Sequence, residues 1–242
     1  MGEWFESWFD TAYYHKLYKA RDFEEAEVFI KNLFNFLNPS KDIKVLDLAC
    51  GKGRHAIFVN SLGYDTTGVD LSEKSINEAK KFENEHLRFF RHDMRDPLSK
   101  DSFDVVLNLF TSFGYFDDKY DNELVISAIR NTLKPNGYLI IDFLNADQVR
   151  SSLVEYDEVQ RGDITFQISK EIADGKVFKH IRFEDKGEKY HYQEKVQLLE
   201  LEDFQQFLSN SGFDIRYTFG NYQLDALTKN ADRLIIIAQK SE

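Results

Sequence analysis

The chain has 242 residues, 42% of them hydrophobic and 15% aromatic, so a large buried core is available and the composition argues against disorder. Its formal net charge of −11, with no Lys/Arg run, counts against a nucleic-acid partner, because phosphate neutralisation needs a basic surface. No apolar stretch reaches membrane-span length, MGEWFES lacks a secretory pattern, and the single Cys50 excludes a disulfide framework or a multi-cysteine metal site, so a cytoplasmic protein without metal is expected.

Residues 4–18, WFESWFDTAYYHKLY, hold seven aromatics and open an expected N-terminal helical cover over 1–40. Asp22 and Glu25 stand at capping-box spacing before a helix whose apolar positions Phe23, Ala26, Phe29, Ile30, Leu33, Phe34 and Leu37 recur with helical period. Lys44–Leu48 reads as a buried strand, followed by a glycine loop and a helix from His55 to Leu62. Thr66–Val69 is a second strand, and Ser72 caps a helix running to about Glu83. Leu87–Arg91 and Phe103–Leu107 are strands three and four. A helix over 118–133 is stopped by the turn signal Lys134-Pro135-Asn136-Gly137, and Tyr138–Phe143 is a buried strand. This alternation implies right-handed crossovers and a mostly parallel sheet with helices on both faces. Beyond Asn145 the pattern changes. Asp157–Ile172, Lys176–Glu184 and Tyr190–Leu199 read as three antiparallel strands, with hairpin turns at Asp174-Gly175 and Lys186-Gly187. A helix over 202–210, capped by Gly212, and strands at 213–219 and 234–239 complete a single domain spanning 1–242.

The segment VLDLACGKGRHA, 45–56, carries the most chemistry. Glycines at a strand-to-helix junction let the chain turn sharply and let a ligand approach main-chain amides. The helix start behind them favours a carboxylate or other anion. Asp70, seventeen residues beyond Gly53 at the end of the second strand, is placed to accept from both hydroxyls of a ribose. Gly51-Lys52-Gly53-Arg54-His55-Ala56 also satisfies a dinucleotide pattern, which keeps a nicotinamide-dependent oxidoreductase open. Asp47 argues against that alternative, because a carboxylate inside a buried strand is costly unless it organises the loop or faces a cation such as a sulfonium.

Five segments in this order resemble the class I S-adenosylmethionine-dependent methyltransferases: VLDLACGKGR, GVDLS (68–72), RHDMRD (91–96), FDVVLNLFTSFGYF (103–116) and LKPNGYLIIDF (133–143). The resemblance implies an α/β, Rossmann-like three-layer sandwich with a mostly parallel seven-stranded sheet. The antiparallel β insertion at 151–199 follows its fifth strand and would serve as substrate cover or dimerisation sheet. S-adenosylmethionine would be the cofactor and S-adenosylhomocysteine the product. By position, Gly51 and Gly53 would pass under the methionine portion, Asp70 would hold the ribose and Leu71 would lie against the adenine. Asp93 would accept from the adenine amino group, Met94 would pack on the ring, and Asn108 would lie near the methionine end. Tyr14, Tyr18 or Arg21 in the leading segment would approach the methionine carboxylate.

No residue is assigned as catalytic, since none of the six histidines sits in a motif that fixes a role. The loop NLFTSFGYF lacks the Asn/Asp-Pro-Pro-Tyr/Phe signature used on base amines, and Cys50 lies in the cofactor loop rather than at a nucleophile position. The acceptor is therefore expected to be a small molecule or a protein, with no membrane partner and with a homodimer left open. A cofactor-binding module without turnover is the remaining alternative.

Overall fold

The computed structural model describes residues 4–18 and 23–241, which leaves Arg21 and Asp22 outside the described residues. Five parallel strands, β1 (Lys44–Leu48), β2 (Asp65–Asp70), β3 (Leu87–Arg91), β4 (Phe103–Asn108) and β5 (Leu133–Leu144), form most of a seven-stranded sheet. Later in the chain, β10 (Phe213–Phe219) and β11 (Arg233–Lys240) close one edge antiparallel, giving the order β10-β11-β5-β4-β1-β2-β3.

The central strands β1, β4 and β5, with β11, are largely apolar because both faces are covered. Val45, Val105, Leu107 and Ile140 point to one face, where they meet Phe29, Ile30, Leu33 and Phe34 of α3 (Phe23–Leu37) and Val59 of α4 (Arg54–Ser61). Their neighbours Leu46, Val106, Leu139 and Ile141 point the other way. There they pack on Val125, Ile126 and Ile129 of α6 (Lys119–Thr132) and Phe204, Phe207 and Leu208 of α8 (Leu201–Asn210). The remaining sheet helix, α5 (Glu73–Ala79), starts at Ser72, whose hydroxyl accepts from the Ser75 amide at 3.0 Å.

The segment before Asn38 has two roles. Its helix α3 belongs to a sandwich layer, whereas α1 (Trp4–Phe9) and α2 (Ala12–Leu17) lie over the other end of the sheet and touch the insertion. Trp8 and Leu17 pack with Ile164, Phe166, Ile168, Ile181 and Phe183.

The insertion differs from expectation in strand count. Asp157–Ile172 is two strands, so four form the second sheet: β6 (Tyr156–Arg161), β7 (Ile164–Ala173), β8 (Lys176–Asp185) and β9 (Glu188–Gln197). Gly162-Asp163 makes a two-residue turn, with Arg161 opposite Ile164 and Gly162 at φ 60°, a backbone angle that glycine adopts without strain. The anticipated turns at Asp174-Gly175 and Lys186-Gly187 are present. Lys134–Gly137 is drawn into β5 as a bulge, with Phe103 opposite Leu133 and Val105 opposite Tyr138. A short helix, α7 (Ala146–Ser152), follows β5 where none was foreseen. Among the described residues no helix is long and apolar enough to cross a membrane.

Candidate functional site

The strand order reverses between β1 and β4, and open α/β sheets hold ligands outside the carboxyl ends of strands at such a point. At that end of β1 the chain turns through Ala49, Gly51 and Gly53, with φ of 63°, 57° and 83°. The two glycines serve different ends. A Cβ on Gly53 would lie 2.6 Å from the Phe89 ring, so Gly53 is needed for packing. A Cβ on Gly51 would meet nothing within 4 Å and would project into the open cleft.

Two acids hold this loop. The Gly51 amide donates to Asp70 Oδ2 at 2.8 Å and the Ser72 amide to Asp70 Oδ1 at 2.8 Å. Desolvation pushes the Asp70 carboxyl above its ordinary value in spite of those donors. Asp47 is buried within β1 and accepts from the Ala56 amide at 3.1 Å. Burial raises it to about 7, against the hydrogen bond from Ala56 and the charge of Arg54. Two costly carboxyls near one loop suit a ligand that carries positive charge there.

Three adjoining cavities open above the strand ends, and Tyr14 and Phe110 line all of them. The first, about 140 Å³, is bounded by Gly51, Asp70, Leu71, Asp93 and Met94. The second, about 330 Å³, lies over Gly51, Lys52 and Arg54, with Tyr18 and His15 on its wall. Burial and the Lys52 charge lower His15 to about 4. The third is a chamber of about 370 Å³ between α2, α7 and the insertion, lined by Thr111, Tyr115, Lys170, Lys179, Glu194 and Arg233.

Of the anticipated residues, Tyr14, Gly51, Asp70, Leu71, Asp93 and Met94 therefore converge on the cleft. Asp93 is half-buried. Its partial burial is outweighed by Arg95, whose guanidinium reaches Asp93 Oδ2 at 2.6 Å, so the carboxyl lies below its ordinary value. Asp47, Gly53 and Asn108 line none of the three cavities. The Asn108 amide instead donates to the carbonyls of Leu48 at 3.3 Å and Ser112 at 3.2 Å, tying β1 to the loop after β4.

That loop carries a feature missed in the sequence. Phe110 and Thr111 both stand at φ 61°, a strained angle for a bulky and a β-branched residue. Asp142, buried on β5, holds them there. Its Oδ2 accepts from the Phe110 amide at 2.8 Å and from the Tyr222 hydroxyl at 3.0 Å, and its carbonyl accepts from the Thr111 amide at 2.8 Å. Arg233 of β11 closes the arrangement, with Nε 2.7 Å from Asp142 Oδ1 and Nη2 2.9 Å from Thr111 Oγ1. The signal was an acid inside the apolar run Leu139–Leu144.

The cover is tied down at both ends. Asp10 Oδ1 accepts from the Ser72 hydroxyl at 2.5 Å, and Trp4 Nε1 donates to the Tyr115 carbonyl at 3.3 Å. Trp8 Nε1 donates to Glu194 Oε1 at 2.7 Å, and the Tyr18 hydroxyl donates to the same carboxylate at 2.6 Å.

Residues 45–137 match a family model described as a methyltransferase domain. YqeM of Bacillus subtilis, a provisionally named methyltransferase, is 27% identical over 82% of this chain and 85% of its own length. The dTDP-3-amino-3,4,6-trideoxy-alpha-D-glucopyranose N,N-dimethyltransferase of Streptomyces venezuelae is 24% identical over 73% of this chain and 77% of its own. An S-adenosylmethionine-dependent methyltransferase from Clostridium acetobutylicum shares the fold at a TM-score of 0.80, with 22% identity over 95% of this chain and 97% of that one.

Proposed function

We propose that the chain is a class I S-adenosylmethionine-dependent methyltransferase, with S-adenosylmethionine as its cofactor, and that it methylates an amine nitrogen of a small molecule held in the third chamber. One observation carries the proposal: that chamber adjoins the cofactor cleft through Tyr14 and Phe110 and is walled by the cover and the insertion. A site enclosed in this way suits a compact acceptor better than a protein surface. The Streptomyces relative, by its name, acts on an amino sugar nitrogen.

The residues in the cleft fit the cofactor. Gly51 leaves open space beside its amide, Asp70 presents a half-buried carboxylate and Met94 and Leu71 offer apolar contact. We assign Asp70 to the ribose, Asp93, Leu71 and Met94 to the adenine, and Gly51 with Tyr14 to the methionine portion. Asp47, Gly53 and Asn108 act from beneath by shaping the loops. The bound cofactor supplies an electrophilic methyl on a sulfonium. The chain supplies alignment, through the strained Phe110-Thr111 turn, and exclusion of water by α1 and α2. A neutral amine attacks in line without a strong base, and its proton can leave afterwards. Glu194, the carboxylate lining the chamber, is the group able to take it. The insertion is read as substrate cover, because its apolar face is occupied by Trp8 and Leu17 and its other face is polar. Cytoplasmic residence fits a lone, buried Cys50.

The test is calorimetric titration with S-adenosylhomocysteine, followed by turnover on a panel of amines and matched alcohols. Micromolar binding and methylation of amines alone are expected. Binding without turnover on any amine would leave a cofactor-binding module and refute the proposal.

A further inference from the structure

The chamber carries a charge opposite to that of the protein. Among the described residues three cations line it, Lys170, Lys179 and Arg233, against the single carboxylate Glu194, in a chain of net charge −11. Strand register explains how they gather. On β7 the inward positions Ile164, Phe166 and Ile168 are buried, and Lys170 continues that parity. Lys170 stands directly opposite Lys179 on β8, and Lys179 directly opposite Glu194 on β9. Two of the cations are matched within the protein. Arg233 is held by Asp142 at 2.7 Å, and Lys179 by Glu194 at 3.7 Å together with the Tyr18 hydroxyl. Lys170 is half-buried and makes no ion pair among the described residues. Like charges directly opposite on neighbouring strands disfavour a sheet; Glu194 offsets the Lys179 side of this pair, and an anion reaching Lys170 would offset the other.

We infer that the chamber binds an acceptor bearing an oxyanion, a carboxylate or a phosphate, which docks between Lys170 and Lys179. The amine part of this inference rests on the function proposed above; the oxyanion part rests on the register and charge of the insertion alone. Tyr14 and Phe110, shared with the cofactor cleft, mark the end where the methyl is delivered, whereas Lys170 lines the chamber only. The anion is thus anchored by its own wall and the reacting nitrogen is left to approach the shared end. At about 370 Å³ the chamber has the size of sites that enclose whole small molecules.

The experiment compares acceptors that differ only in the anion: ethylamine with β-alanine, ethanolamine with O-phosphoethanolamine, and glucosamine with its 1-phosphate. Initial rates are measured on wild type, Lys170→Gln and Lys170→Arg, and the carboxylate and phosphate arms separate the two oxyanions. The oxyanion members should show at least tenfold higher kcat/KM, expressed in KM. That advantage should fall below threefold in Lys170→Gln, return in Lys170→Arg and shrink with added salt, as screening requires. Binding of β-alanine and inorganic pyrophosphate to the S-adenosylhomocysteine-loaded enzyme, followed by tryptophan fluorescence, gives a readout that needs no turnover. Loss of that binding in Lys170→Gln supports the inference even if no probe is methylated. Equal rates for both members of each pair, or no anion binding to wild type, overturns it and leaves the amine reading intact. Methylation of glycolate or another hydroxy acid in place of the amines overturns the amine reading and leaves the oxyanion site standing.

Discussion

Replacing Asp47 with Asn should change the pH dependence of stability in a direction opposite to ordinary acid denaturation. The Asp47 carboxyl sits at about 7 in the folded chain against an ordinary 3.8, because burial outweighs its one amide donor. Between those values the folded protein holds a proton that the unfolded chain releases. Stability therefore falls as pH rises, fully retained below 3.8 and lost progressively up to about 7. Integrating that difference from pH 5 to pH 8 gives a loss of roughly 2–3 kcal/mol attributable to this one group. Two histidines, His55 buried and His15 half-buried, act in the opposite sense over part of the range. His15 and His55 are lowered to about 4 and about 3 by burial, so each gains stability as pH rises toward its ordinary 6.5. Both are present in wild type and in Asp47→Asn, so the difference between the two proteins isolates Asp47. Urea unfolding followed by far-UV circular dichroism at pH 5 and pH 8 measures it. The wild type should lose roughly 2–3 kcal/mol relative to Asp47→Asn across that interval. Parallel pH profiles for the two proteins would refute the claim that Asp47 is held protonated in the ligand-free fold.

The paired glycines should separate packing from binding. Gly53→Ala, at φ 83° and 2.6 Å from Phe89, should cost about 2–4 kcal/mol in urea unfolding. Gly51→Ala should cost only about 1–2 kcal/mol, since its Cβ meets no protein atom, yet weaken S-adenosylhomocysteine binding at least tenfold in calorimetry. Asp142→Asn should destabilise by about 3 kcal/mol, because it removes the buried carboxylate that pairs with Arg233. It should also lower kcat more than tenfold while cofactor affinity changes less than threefold, which initial-rate kinetics and calorimetry would show together. Cys50 is buried, and burial with the charges of Asp47 and Asp70 raises its thiol well above its ordinary value. Iodoacetamide should leave it unlabelled in the native protein at pH 8 and label it once urea unfolds the chain, as read by intact mass.

What the sequence disclosed of the site was its local part. The glycine loop, Asp70 and Ser72 lie within one strand–helix–strand unit, so spacing alone fixes how they meet. Arg233 reaches Asp142 across 91 residues, and Tyr222 reaches it across 80, so no window of sequence holds that cluster. The insertion was misread for a related reason. Reading 157–172 as one strand overlooked the turn at Gly162-Asp163, and with it the pairing of β6 with β7. The inward parity of Lys170 follows from Ile164, Phe166 and Ile168, but only the pairing with β8 and β9 reveals which charges it faces. Asn108 shows the opposite case. Its motif position was legible, yet its amide is used to join Leu48 to Ser112 beneath the cleft.

On the function proposed above, the same geometry would make the cofactor cover and the acceptor wall one cooperative unit. Trp8 and Leu17 fill the apolar face of the insertion, and Trp8 and Tyr18 both donate to Glu194 on β9. Tyr14, on the helix between Trp8 and Tyr18, lines the cleft and the chamber alike. Undocking α1 and α2 would therefore expose the apolar cluster, strip two donors from Glu194 and open both cavities at once. Each of those changes is unfavourable, so on this reading the acceptor chamber would be complete only with the cofactor covered. Water is then excluded from the sulfonium by the same contacts that shape the acceptor's seat. A substitution that loosens the cover, such as Trp8→Ala, should accordingly raise KM for the acceptor and for S-adenosylmethionine together rather than one alone.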